Sequence, residues 1–314
     1  MIARLRSEQG QAFVVMAVFL AVLAGSTAFT IDVGAWYREH RQAQTTADAA
    51  ALSGAQALPG NTGQAALSAQ TYADQNGGTL ESPGGITFRS DFAADDTVVV
   101  KVTRPTPGFF SSIFGLVTPN VHARAAARSA VPVEVAGAAP IAVQKLHPAL
   151  SGAACPANNG QPCFNLETTI PLGKNGAPGS FSLVNLDLTS GGATGAKTVA
   201  DWIANGFSGY LPVGAYLSDP GAKWNDAPIR NAMRDRIQAG STLLFPVYDT
   251  LTGSGQNAQY HVIGWAAFFV ESFDASGQDG SVSGQFKQVI WKGIQSSSAP
   301  GGPDYGVHSV ELVN

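Results

Sequence analysis

The sequence predicts an α+β protein carried on a membrane helix: an N-terminal transmembrane helix continuing into a long exterior helix, a small α+β unit, then a β-rich distal domain with two short helices. Three observations predict it. Residues 12–31, "AFVVMAVFLAVLAGSTAFTI", run for twenty positions without a charge. As a helix they span about 30 Å, the thickness of a bilayer's hydrocarbon core. Residues 32–58 are free of proline and dense in Ala, Gln and Leu, which favour helix. The second half instead carries aromatic and β-branched runs bounded by Gly, Asp and Ser.

Taken in order, residues 1–11 read as a cytoplasmic N-terminus, because Arg4 and Arg6 precede the span and mixed charges, Asp32, Arg38, Glu39 and Arg41, follow it. The span is residues 12–31; a cleaved secretory signal is the competing reading, but its apolar core is normally only ~7–15 residues. The helix continues outward until Pro59-Gly60 stops it. "TGQAALSAQTYADQNGG" then supplies a second helix, ended by Asn76-Gly77-Gly78. "GITFRS" and "TVVVKVTRP" read as strands, and "NVHARAAARSAVPVEV" as either a strand or an alanine helix. The α+β unit is therefore set at 32–131, a linker at 132–140 and the distal domain at 141–314. In that domain "KTVADWIANG" places Val199, Trp202 and Ile203 on one helical face. "DAPIRNAMRDRIQAG" has Asp226 to cap the start, Pro228 in its first turn and Gly240 at its end.

Composition excludes several classes. With 13% charged residues, 36 Gly, 18 Pro and a net charge of −4, the chain is turn-rich and ordered, and it is not a basic nucleic-acid binder. Cys155 and Cys163 flank a short polar loop; outside the cytoplasm they read as a disulfide, the alternative being two free thiols.

The chemical motifs are incomplete. "GGATGAKT" (residues 191–198) has the strand, turn and helix layout of a phosphate loop, but Ala196 stands where the motif needs Gly. It reads as a plain turn with Lys197 and Thr198 solvated, so no nucleotide is expected. "DASGQDG" (274–280) has Asp279 and Gln285 where a calcium loop needs Gly and Glu. The five histidines are scattered singly and no serine sits in G-x-S-x-G, so no metal, no cofactor and no catalytic residue is expected.

The most specific stretch is "DVGAWYREHRQAQTTADAAALSGAQAL". Asp32 and Gly34 stand at the outer end of the span, followed by Arg41, Gln44, Ala47, Asp48, Ala49, Ala50, Ala51, Leu52, Gly54 and Ala55. This resembles the N-terminal signature of TadE/TadG-like proteins of the Flp (tight-adherence) pilus assembly system. "AQTYADQNGG", "VVVKV", "FFSSIFGL" and "ARAAARSA" look like the segment that follows the signature in that family. "LLFPVYD" and "YHVIGWAAFFV" look like C-terminal regions of its larger members. The resemblance implies a non-enzymatic, single-pass protein of the inner membrane, with its bulk extracytoplasmic, acting in pilus biogenesis or surface attachment. Its implied partners are the lipid bilayer and other pilus-assembly membrane proteins. Gly10 is followed five residues on by Val15 rather than the Glu of a processed pilin, which implies a membrane-retained accessory protein. Two readings of the alanine stripe Ala47, Ala50, Ala51 and Gly54 stay open: a docking surface for a partner helix, or a helix packed on its own domain. An alternative function is an anchored adhesin whose distal domain stacks a ligand on Trp202, Trp224, Trp265 and Trp291.

Overall fold

A computed structural model describes residues 9–115, 119–173, 181–188, 194–219, 221, 223–276, 280–296, 298 and 300–313. The chain divides into two compact units, Met1–Arg128 with Glu311–Asn314, and Ser129–Val310. The fold is α+β with a β-rich distal region.

The first unit is built on α1 (Gln9–Ala55), a continuous helix of 47 residues. It contains a stretch near the N-terminus long and apolar enough to cross a membrane, almost none of it buried. Phe13, Phe19, Val22 and Leu23 all face outward there, as lipid-facing side chains do. Beyond residue 31 the same helix turns an alanine face inward. The short helix α2 (Thr62–Gln75) starts where the Asn61 side chain accepts the Gln64 N–H at 2.9 Å. Its end is Asn76, followed by Gly77 in the left-handed region at φ +69°. α2 buries Ala65, Ala69 and Ala73, one residue per turn, against α1.

Strands β1 (Thr79–Leu80) and β2 (Ile86–Arg89) both pair antiparallel with β3 (Thr97–Pro105). On its other side β3 pairs with β4 (Asn120–Ala130) from Thr97↔Arg128 to Pro105↔Asn120. The alanine-rich segment left open by the sequence is thus a strand. Nine consecutive pairings with β3 outweigh alanine's preference for helix. Val98, Val100 and Val102 of β3, with Leu58, supply the larger side chains of a core rich in alanine.

In the second unit, β6 (Val143–Gln144), β10 (Thr242–Thr252), β11 (Gln259–Asp274), β12 (Ser281–Lys287) and β7 (Glu167–Pro171) form a sheet in that spatial order, and β9 (Gly214–Leu217) also pairs with β11. A smaller sheet orders β14 (Gly293–Ile294), β5 (Glu134–Ala136) and β8 (Tyr210–Pro212). β13 (Val289–Ile290) runs parallel to β15 (Val307–Val313). Helices α3 (Ala196–Asn205) and α4 (Ala227–Gln238) pack on each other. The core carries an aromatic ladder across neighbouring strands. Phe245 stacks on Phe268 at 5.6 Å between centroids, and Phe268 meets Phe286 edge-on at 4.8 Å. Asp226 stands at the start of α4 without a side-chain capping bond, and Pro228 occupies the first turn as the sequence suggests.

Candidate functional site

The signature residues of α1 fall into two groups, an inward alanine face and polar residues beside it and at the end of the apolar stretch. Ala43, Ala47, Ala50, Ala51 and Ala55 are fully buried. They sit at helical spacing on the face that meets α2 and β3. Gly54 marks the tightest approach: a β-carbon there would lie 2.9 Å from the Ala65 carbonyl oxygen and 3.1 Å from the Ala69 β-carbon. Of the two readings of this stripe, the structure has the second, a helix packed on its own unit. Small residues on both helices let the backbones approach closely, and the alanine surface is consumed inside the protein.

The polar signature residues secure that packing. Gln44 donates one amide to Asp48 at 2.7 Å, its neighbour one turn on, and reaches the Arg124 carbonyl of β4 at 3.2 Å. Arg104 of β3 pairs with Glu39 at 3.3 Å. Ala49 is half-buried, and Arg41 is exposed with its guanidinium 5.9 Å from the Tyr37 ring centre. Gly34 is exposed and has nothing near its missing side chain.

Asp32 has the most demanding environment. It is only 4% exposed, and its carboxylate accepts the backbone N–H groups of Phe109 at 2.9 Å, Phe110 at 3.2 Å and Ser111 at 2.7 Å. Those amides open the 3-10 helix Ser111–Phe114, whose first N–H groups have no partner within it. One turn further along α1, the Trp36 indole N–H donates to the Pro107 carbonyl at 3.2 Å. The loop is thereby held at the C-terminal end of the apolar stretch.

Residues 10–57 match the family model described as "Putative Flp pilus-assembly TadE/G-like". This segment is TadE/G-like. Comparison with curated proteins and with solved structures gives no match for the chain. The TadE/G-like segment contains α1 from its second residue onward, and so both the buried alanine face and the Asp32 clamp. Asp32 was legible as a signature position, but its partners lie 77 to 79 residues away in sequence. The contacts of Trp36 with Pro107 and of Glu39 with Arg104 were not legible for the same reason, although the uncharged "PTPGFFSS" beside Arg104 was a usable signal.

The distal unit holds the remaining candidates. Trp202, Trp224 and Trp265 are buried in its core, so they have no face to offer a ligand. Trp291 is half-buried, with its indole N–H donating to the Ala136 carbonyl at 2.7 Å. Residues 191–193 of the phosphate-loop look-alike lie outside the described residues, as do 277–279 of the calcium-loop look-alike and 1–8 of the N-terminus. In the described part of the former, the amide and hydroxyl of Thr194 are taken by the buried Asp219 carboxylate at 3.0 and 2.6 Å. Lys223 neutralises that carboxylate at 2.5 Å. Lys197 and Thr198 are exposed.

Cys155 and Cys163 are joined in a disulfide with α-carbons 5.9 Å apart. A cavity of about 620 Å³ is lined by Gln144, His147, Thr168, Thr169, Tyr248 and Leu251 among others. Burial pushes the His147 imidazole below its ordinary value, against the opposing contact with the Thr169 carbonyl at 3.1 Å. With Nδ1 accepting the Ala149 N–H, the ring is placed as the neutral Nε2–H tautomer. Burial also drives the Tyr248 hydroxyl up to about 12. Both ring nitrogens of His147 are engaged by backbone groups.

Proposed function

We propose that this protein is a non-enzymatic, membrane-anchored component of Flp (tight-adherence) pilus assembly, with its N-terminus cytoplasmic and both folded units outside. The observation that carries the reading is the TadE/G-like match over residues 10–57, together with an apolar stretch long enough to span a bilayer inside that segment. The arrangement is that of an anchor continuous, through α1, with a folded head, the first unit. The buried alanine face moves the expected partner contact away from the signature stripe and onto other surfaces of the head or onto the span.

Deleting the gene and imaging surface fibres tests the proposal. Fibres should be lost and restored by the full chain, and the tagged protein should co-purify with other pilus-assembly membrane proteins. Normal fibre number and adherence in the deletion strain would overturn the reading.

A further inference from the structure

We infer that the loop at residues 107–111 is a second membrane contact, a pair of aromatic side chains seated at the boundary between lipid headgroups and acyl chains. Its depth is fixed by Asp32. That residue directly follows the uncharged run, and it holds the amides of Phe109, Phe110 and Ser111. Trp36 holds the Pro107 carbonyl from one turn higher. The loop therefore lies level with the point where α1 leaves the hydrocarbon.

The chemistry of the loop fits that level. Phe109 is 55% exposed and Phe110 36%, and residues 105–121 carry no Asp, Glu, Lys or Arg. In water two neighbouring exposed phenylalanines are unfavourable; at the membrane boundary they bury apolar surface. The adjoining turns of α1 continue the pattern, with Tyr37 61% exposed beside Trp36. Ile31 and Tyr37 are separated along the helix by about 9 Å, comparable to the headgroup layer on one side of a bilayer. Aromatic rings at that depth and the basic residues Arg38 and Arg41 just beyond it match an interfacial belt. The occupant that fits this surface is lipid, because the surface is continuous with the membrane-facing side of the span. Asp32 is the positioning residue: it satisfies the loop's amides so that the rings alone are presented.

The inference rests on residues 12–31 spanning the membrane, and one experiment separates the two claims. The full chain is reconstituted in phosphatidylcholine vesicles, its native disulfide intact, with an environment-sensitive fluorophore on Phe109→Cys, Val22→Cys or Tyr72→Cys. Quenchers are lipids with a nitroxide near the headgroup, lipids with a nitroxide deep in the acyl chain, and aqueous iodide. The label at 109 is expected to be quenched by the shallow lipid, that at 22 by the deep lipid, and that at 72 by iodide alone. Iodide quenching at 109 with deep quenching at 22 would overturn the loop contact and leave the span standing. Absence of deep quenching at 22 would overturn the span, and the loop contact with it. Adding Asp32→Ala to the chain labelled at 109 should abolish the shallow quenching; an unchanged profile would remove Asp32 from its positioning role.

Discussion

Replacing Gly54 by alanine should loosen the contact between α1 and α2, although alanine is the better helix former. The added methyl would stand 2.9 Å from the Ala65 carbonyl oxygen, 3.1 Å from the Ala69 β-carbon and 3.4 Å from Val98. The first two neighbours belong to a backbone and to a side chain with no torsion to turn, so the helices themselves must part. Overpacking of this kind costs about 1–3 kcal/mol. The gain in helix propensity is at most ~1 kcal/mol and smaller so close to the helix end. With the gain at ~0.5 kcal/mol, a net loss of about 0.5–2.5 kcal/mol follows, which corresponds to roughly 2- to 70-fold faster exchange of amides protected by that packing. The assay is hydrogen exchange of the α2 peptide, Thr62–Gln75, in the full chain. Gly34→Ala is the control, since nothing lies within 4 Å of its missing side chain; there α2 exchange should stay the same. Unchanged or slower α2 exchange in Gly54→Ala would refute the close packing of the signature helix on its own unit.

Two other perturbations have definite signs. Alkylation without reductant should modify neither Cys155 nor Cys163, and reduction should destabilise the distal unit by up to roughly 3 kcal/mol on the chain-entropy model; two reactive thiols in the untreated protein would contradict the bond. Burial raises Asp96, but the N–H groups of Asp91, Ala93 and Phe92 and the Thr97 hydroxyl outweigh it and hold the carboxyl below its ordinary value. A depressed pKa contributes stability above the unfolded value of about 3.9, and that contribution is lost as pH falls from there through the folded value. Acid unfolding of the first unit should therefore begin below about pH 4, and Asp96→Asn should flatten that part of the profile. An acid limb of the same steepness in the variant would exclude Asp96 as its source.

Much of the fold could be read from local chemistry. Pro59-Gly60, the Asn61 cap and the Asn76-Gly77 stop define α2 because each acts on the backbone beside it. What could not be read depends on distant partners. An alanine every fourth position is compatible with a partner's helix or with the protein's own, and only Ala65, Ala69 and Ala73 across the contact decide between them. The strand β4 was ambiguous because alanine favours helix locally, whereas its pairing is with β3, from Pro105↔Asn120 to Thr97↔Arg128, across an intervening loop. Asp32 was conspicuous as a charge at the span's end, but nothing nearby discloses that it binds three amides of a loop far along the chain.

The unbroken course of α1 has a mechanical consequence. No proline lies between residues 12 and 55, and the helix passes from its apolar stretch to its packed alanine face without a hinge. The part beyond residue 31 is a rod of about 36 Å. With the apolar stretch spanning a bilayer as proposed, a change of about 10° in its tilt, well inside the range such helices adopt, would swing the far end of that rod sideways by roughly 6 Å. Bilayer thickness, or the pull of a neighbouring helix in the membrane, is thereby converted into displacement outside it.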